Sequence, residues 1–454
     1  MKKIVTICVV GVFAFGALLA QTNVDPGDNT LSAAIAAAAP GDMLVLADGG
    51  IYTETTLLEI PINKSIMILA EAGAVEKPIL KSNAVQAGGE DAPRLFLLQN
   101  GADITLEGIE IDGGASNVTT FLPMGDVFRF EALAGNAVIS VKLLSCWIHG
   151  YTNEMLDGNS SDYTGLALVI GSVVIDDCMF MAGDGISGDG DGVAVFKRTG
   201  ITSLTVTNTT VWHGNDKLFR TEDDGEPYFS DPVIVFDHCT FVDVAHRFFQ
   251  FRDGVGSPIV IKNSIFADNS AAGRDRAAIQ VQDNPSVMIN NCCFFNITNA
   301  DGPIDVVEGA LVADNIEVDP LFADAANADF TLLEGSPCIG AADDGKAMGD
   351  PRWDPNATAV EDGILMPSEY SLGQNYPNPF NPTTTIDFTL KETGHTLLTV
   401  YNVMGQKVKT LVDGQMAAGV HEITLNASDL ESGMYFYEIR SGEYASMKKM
   451  VLMK

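Results

Sequence analysis

One phrase recurs along the middle of this chain, and its period constrains the fold more than any other feature. It consists of an alternating apolar strand, a small polar residue, a Cys, Ser or Thr, one variable residue, and then Phe or another apolar residue. Copies occupy residues 141–148, 174–180, 206–211, 235–241, 261–266 and 289–294. Aligning Cys146, Cys178, Thr209, Cys239, Ser264 and Cys292 gives spacings of 32, 31, 30, 25 and 28 residues.

Short strands at that period, with no helical pattern between them, predict a β-solenoid. Each repeat is one turn of a right-handed parallel β-helix, with like residues stacked about 4.8 Å apart. The cysteines then form an inward column of small, weakly polar side chains, which predicts buried free thiols rather than disulfides. No CxxC occurs to suggest a redox or zinc site. The residues one position earlier, Asp177, Asn208, His238, Asn263 and Asn291, form a second column, similar to the asparagine ladders of β-helix turns. Membership of that column makes His238 a stacked turn residue before it is a ligand.

Both ends of the repeat agree with this reading. Residues 29–38 (NTLSAAIAAA) form a short amphipathic helix, the cap an open first coil needs. A strand follows at 43–46. At the other end lie VDPLF (318–322), DFTL (329–332), SPCIG (336–340) and GDPRW (349–353). The residues after 353 read as a linker.

Composition narrows the setting. At 454 residues the chain has room for two or three domains. Lys2 and Lys3, an apolar run over 4–20 and a small-residue end before Gln21 predict a secretory signal peptide over 1–20. No later apolar run reaches membrane-spanning length. Sixty acidic against 26 basic residues give a net charge of −34. Such a surface repels nucleic acid and anionic membranes, so nucleic-acid binding is excluded as a function class.

The closing segments together with the coils resemble chondroitinase-B-like and pectate-lyase-like proteins. The resemblance covers most of 25–355 and implies an extracellular, anionic polysaccharide as partner, bound outside one sheet. A second strand in each coil aligns at 127–131, 195–198, 218–222, 248–253 and 278–283. With Phe128, Phe196, Phe219, Phe249 and Ile279 inward, alternation turns Arg129, Lys197, Arg220, Gln250 and Gln280 outward. Glu131, Glu222, Arg252 and Gln282 flank them. Guanidinium groups grip carboxylates bidentately and amides bond sugar hydroxyls. Arg129, Glu222, Gln250, Arg252, Gln280 and Gln282 are therefore the candidate substrate-binding residues.

In the lyase family a Lys removes the proton beside the uronate carboxylate, an Arg on the neighbouring coil stands near the leaving oxygen, and calcium neutralises the carboxylate. The resemblance puts Lys197 and Arg220 in the two catalytic roles. It makes Asp184, Asp189 and Asp191, in the Gly/Asp run 183–192, candidate calcium ligands. Lys197 stands in VAVFKRT, where the family has Lys-Ser-x-x-Asn, and no Glu-x-Glu pair precedes it. A solvated charged face and a plain turn remain open as alternatives. His213, His246 and Arg247 read as loop or rim residues. Trp212 reads either as a sugar-stacking platform or as a loop-packing aromatic. The chain is thus either a polysaccharide lyase or glycan hydrolase, or a non-catalytic adhesive or structural surface protein.

The last 85 or so residues say something different. NYPNPFNP (375–382), YNVMG (401–405), LESGMY (430–435) and Lys448-Lys449 sit among alternating apolar residues and Gly-centred turns. That pattern predicts an antiparallel β-sandwich. It resembles the type A C-terminal sorting domain of the type IX secretion system, which implies that machinery as a partner. It also implies release or attachment at the outer-membrane surface. The expected organisation is a signal peptide (1–20), a right-handed parallel β-helix (21–353), a linker (354–369) and an Ig-like sorting domain (370–454) in an all-β chain.

Overall fold

The structure is a computed structural model. It describes residues 21–61, 63–82, 94–99, 101–114, 124–131, 138–151, 154–158, 169–181, 192–197, 200–214, 217–222, 232–252, 258–269, 277–282, 286–299, 301–357, 371–372, 375, 380–390, 394–402, 406–416, 419–428, 430–442 and 444–453. The predicted signal peptide lies outside them, as does most of the predicted linker. Contacts divide the chain into two compact units, Met1–Ala323 with Phe330–Gly363, and Asp324–Asp329 with Ile364–Lys454.

The first unit is a parallel β-helix built on three sheets of 11, 10 and 9 strands. Every coil contributes to the sheets in the same order. Met43–Leu46 lies in the first sheet, Ile51–Glu54 in the second and Leu58–Ile60 in the third; Ser65–Ala70 then returns to pair with Met43–Leu46. Side chains alternate, so every second residue enters a single interior. There like residues stack: Phe96 on Phe128 at 4.9 Å, Phe241 on Phe266 at 5.1 Å, and Phe266 on Phe294 at 5.2 Å between ring centroids. Each such buried ring contributes about 1.5–3 kcal/mol.

The corner between the first and second sheets turns on one left-handed residue per coil. Ser145, Asp177, Asn208, His238, Asn263 and Asn291 all have φ between 49° and 53°. Asn, Asp and His tolerate this region best among side-chain-bearing residues. The next residue points inward and accepts a bond from the coil before it. Cys146 N donates to Cys178 Sγ (3.4 Å), Cys178 N to Thr209 Oγ1 (3.3 Å), Cys239 N to Ser264 Oγ (3.1 Å) and Cys292 N to Asn315 Oδ1 (2.9 Å). The column therefore needs a small side chain with an acceptor atom, and Cys, Ser, Thr and Asn all qualify. The four cysteines of this column, Cys146, Cys178, Cys239 and Cys292, are free and buried, as their place in a solenoid predicts.

The helix Thr30–Ala37 caps the first coil and buries Leu31 and Ile35. It holds the place in the coil order that a third-sheet strand takes elsewhere. Its ends are fastened by the next coil: Leu31 N donates to the buried Glu54 carboxyl (3.1 Å), and the buried Lys64 ammonium donates to the Ile35 carbonyl. A carboxylate at a helix N-terminus and an ammonium at its C-terminus both satisfy orphan backbone groups and complement the helix dipole.

The far end closes differently. After the last coil, residues 336–353 form a strap that runs back along the left-handed corner, against the direction of coil growth. Asn291 Nδ2 donates to the Ala341 carbonyl (3.3 Å), and Asn263 exchanges bonds with Asp343 at 2.7 and 2.9 Å. His238, held by Asp237 at 2.8 Å, has its other ring nitrogen 3.6 Å from Asp344. Asp350 accepts from Thr210 Oγ1 (2.7 Å) and Arg352 Nη1 (2.8 Å), while its N–H donates to Thr240 Oγ1 (2.9 Å). Arg352 reaches on to Asp177, and Trp353 Nε1 donates to Thr210 Oγ1 at 2.7 Å. Gly349, at φ +89°, is obligatory here: a Cβ would lie 2.7 Å from Thr240 Oγ1 and 2.8 Å from Ile265 Cδ1. Trp212 packs its ring against Phe330 (6.1 Å), which favours the packing role over a sugar platform.

The second unit contains a three-stranded antiparallel sheet (Ser371–Leu372, Thr383–Leu390, Gly419–Asn426) and a four-stranded one (Lys407–Met416, Gly394–Asn402, Gly433–Ser441, Tyr444–Leu452). They share a core that includes Ile386, Phe388, Leu398, Val400, Tyr437 and Met450. The motifs have structural work in it. Asn375 is buried, donating to Tyr437 Oη from its N–H (2.8 Å) and to Thr384 Oγ1 from its side chain (2.9 Å). Phe380 fills the core while its backbone pairs with Val451 and Met453, each at 2.9 Å. Asn402 and Gln406 exchange hydrogen bonds, Gln406 N donating to Asn402 Oδ1 and Asn402 N to the Gln406 carbonyl, each at 3.0 Å.

Candidate functional site

The strands of the third sheet carry the residues singled out from the sequence, and their register can be read coil by coil. Phe128, Leu156, Ala194, Phe219, Phe249, Ile279 and Ile304 follow one another in an inward column. The adjacent outward column is Arg129, Asp157, Val195, Arg220, Gln250, Gln280 and Asp305.

Lys197 does not belong to that column. Val195 lies opposite Arg220, and Lys197 lies opposite Glu222. The expected placement of Lys197 beside Arg220 is corrected by two residues, about 6.6 Å along the strand. Alternation fixes which side a residue faces but is blind to a shift of two. Matching Phe196 to Phe219 looks right in sequence, whereas the structure sets the small Ala194 against Phe219 and Phe196 against Thr221.

The column is polar yet largely closed. Arg129 faces Asp157 at 3.6 Å, their side chains 19% and 10% exposed. Gln250 and Gln280 are buried, with 1% and 0% exposure. Both amide oxygens accept from Arg247 Nη1, at 2.9 and 3.2 Å, and Gln280 Nε2 donates to Asp305 (3.0 Å). Neither amide is open to solvent for sugar contact in this structure. Arg247, expected in a loop, instead opens the strand Arg247–Phe251 and is 4% exposed. His246 before it is buried, whereas His213 is exposed and bonded to Asp243 at 2.8 Å. Arg220, Arg252 and Gln282 are half-buried and form the more accessible part of the face. The calcium candidates Asp184, Asp189 and Asp191 lie outside the described residues. Among the described residues, no group of three or more His, Cys, Asp or Glu side chains is arranged to hold a metal ion.

A second polar cluster, on the outside of the second sheet, went unnoticed in the sequence. His149 Nε2 lies 3.1 Å from Glu110 Oε1 and its Nδ1 3.8 Å from Asp112, which lies 3.5 Å from Lys81 Nζ. Trp147 packs its ring on His149 at 4.3 Å. Burial opposes charging of His149, but the Glu110 hydrogen bond and the Asp112 and Glu110 charges hold its pKa above the ordinary value. Burial likewise opposes ionisation of Asp112, and His149 and Lys81 outweigh it to hold that pKa low. Only the register, which sets Asp112 opposite both Lys81 and His149, brings these residues together. No spacing within the sequence signals it.

Comparisons with known proteins bear on two stretches. Residues 234–353, the last coils and the strap, match a family model described as a domain of unknown function (DUF5123). Residues 374–453 match the secretion system C-terminal sorting domain. No curated protein matches the chain. Among solved structures, the PL6 family alginate lyase AlyGC is similar over 68% of this chain and 41% of its own, at 17% identity and a TM-score of 0.40. An arginine-to-alanine mutant of that enzyme is similar over 65% and 39%, at 16% identity and a TM-score of 0.45. This chain thus spans about two fifths of the length of those structures. The molecule combines a parallel β-helix with a C-terminal sandwich similar to the sorting domain of a secretion system.

Proposed function

We propose that this protein is exported through the type IX secretion machinery and uses its β-helix to bind an anionic extracellular polysaccharide on the third-sheet face. The match of residues 374–453 to a sorting domain carries the export half of the reading. No helix among the described residues is long and apolar enough to cross a membrane. Arg129, Arg220 and Arg252 on one face of a chain with net charge −34 support an anionic partner.

Binding is favoured over elimination chemistry because Lys197 and Arg220 do not share a row. A lyase reading would have Lys197 take the proton across that offset, with calcium held at Asp184, Asp189 and Asp191. Closure of Gln250 and Gln280 by Arg247 favours a purely structural or adhesive role for the column as a second reading.

Affinity electrophoresis in gels containing alginate, pectate or chondroitin sulfate separates these. Retardation that is lost in an Arg220→Ala, Arg252→Ala double variant supports the binding face. Unchanged mobility of the parent protein in every gel overturns it. Ultraviolet absorbance from unsaturated products, abolished by chelator and by Lys197→Ala, would establish the lyase instead. Deleting residues 370–454 is expected to leave the protein in the periplasm, and normal export of that truncation would refute the sorting role.

A further inference from the structure

Four of the described cysteines belong to the inward corner column, and two do not. Cys293 points out of the second sheet, in the row of Thr210, Thr240 and Ile265. That row is the one the strap covers. Cys338 belongs to the strap.

Several contacts bring the two thiols to one spot. Cys293 Sγ donates to the Val318 carbonyl at 3.3 Å. Two residues on, the Pro320 carbonyl accepts from Ser336 Oγ (2.6 Å), and Ser336 Oγ accepts from Cys338 N (3.2 Å). From the other side, the Cys338 carbonyl accepts from Met348 N (2.9 Å), and the next residue, Gly349, lies against Ile265, the row neighbour of Cys293. The Cys293 thiol lies close enough to Cys338 to raise the Cys338 pKa, with burial adding to the rise. Both cysteines are buried, while Val318, Leu321 and Leu333 in the adjoining segments are 40%, 37% and 47% exposed.

We infer that Cys293 and Cys338 are the site of a disulfide that forms once the protein leaves the reducing cytoplasm and that fastens the strap to the last coil. The setting rests on the export reading above; the pairing itself rests on the geometry. The oxidant is a disulfide-bearing thiol oxidant. A thiolate of the pair attacks its S–S bond to give a mixed disulfide, and the second thiolate displaces the reduced oxidant. One new S–S bond forms, one breaks, and two protons and two electrons leave the protein. Disulfides are ordinary in exported proteins. The column thiols serve as an internal control. Cys146, Cys178, Cys239 and Cys292 lie inside the barrel, where their thiols donate to backbone carbonyls.

The test uses the full-length chain, purified reduced and then incubated with glutathione disulfide. Free thiols are blocked with a maleimide under denaturing conditions, and peptides are mapped by mass spectrometry. A peptide carrying Cys292 and Cys293 should appear cross-linked to the Cys338 peptide. The link should vanish in Cys293→Ser and in Cys338→Ser, and persist in Cys292→Ser. The serine variants are checked for unchanged β circular dichroism, so misfolding is not mistaken for loss of the bond. Maleimide labelling of both Cys293 and Cys338 in the oxidised parent, or a link that survives Cys293→Ser, overturns the inference. Protein harvested after export provides the second arm. A bond formed in vitro by a chain that is never exported would sink the export reading and leave the pairing intact. An exported chain with both thiols free would sink the pairing.

Discussion

The two ends of the β-helix are closed in opposite ways. At the beginning, a helix of eight residues sits on the first coil, with neighbours close in sequence: Glu54 and Lys64 hold its ends, and Leu31 and Ile35 fill the opening. At the other end, the strap travels back over the corner from Asn291 to Asp177 and ties together residues as far apart as 175 positions. The first device caps one coil. The second couples many coils, so damage to it should spread.

The largest expected effect is at Asp350. It is buried between Arg352, Thr210 and Thr240, and Asp350→Ala leaves Arg352 only part of its compensation. We expect a loss of about 3 kcal/mol in urea unfolding, the lower end of what breaking a buried pair costs, because Asp177 still faces Arg352. Hydrogen exchange should accelerate in every coil between Asp177 and Asn291. Acceleration confined to one coil would break the contrast between the two ends.

The same carboxyl gives a pH signature. Burial pushes its pKa up to about 6, with Arg352 and its hydrogen bonds opposing the rise. Because the folded value is the higher one, folding favours the protonated form. The corresponding stability is complete below the unfolded value and is lost as pH rises from about 4 to about 6. The difference in unfolding free energy between the parent and Asp350→Asn should therefore fall by about 2–3 kcal/mol across that window and be flat above it. A difference independent of pH would show that folding does not shift the Asp350 pKa.

At the other end the effects are smaller and local. Leu31→Ala should cost about 2 kcal/mol, since an end coil relaxes around a cavity better than a middle one. Faster exchange should appear only near Met43–Leu46 and Ser65–Ala70. Glu54→Ala removes the acceptor for Leu31 N and should cost about 1 kcal/mol, partly offset because burial already disfavours the charged carboxyl and raises its pKa. A Glu54 loss matching that of Asp350 would erase the distinction between cap and strap.

The residues that announced the fold did so through repetition. Cys146, Cys178, Thr209, Cys239, Ser264 and Cys292 are legible as equivalent because each coil meets the same demand, an inward acceptor after a left-handed residue. The sorting motifs are legible for a related reason: Asn375 and Phe380 each serve one fixed position in a small core. The candidate face was legible only in outline. Alternation sent Arg129, Arg220, Gln250 and Gln280 outward, but it carried no information on the two-residue offset of Lys197 or on Arg247 closing over the amides.

The coil, its period, its inward columns, the capping helix and the C-terminal sandwich could be read from the residues, because each is enforced by contacts that repeat or lie near in the chain. Tertiary structure alone decided the rest. Register placed Lys197 opposite Glu222 and gathered Lys81, Asp112 and His149 from three coils. The strap's return set Asp350 against Thr210 and brought Cys338 to Cys293. Such pairings depend on how many residues each connection uses before the next strand begins, and a period-two pattern does not record that length.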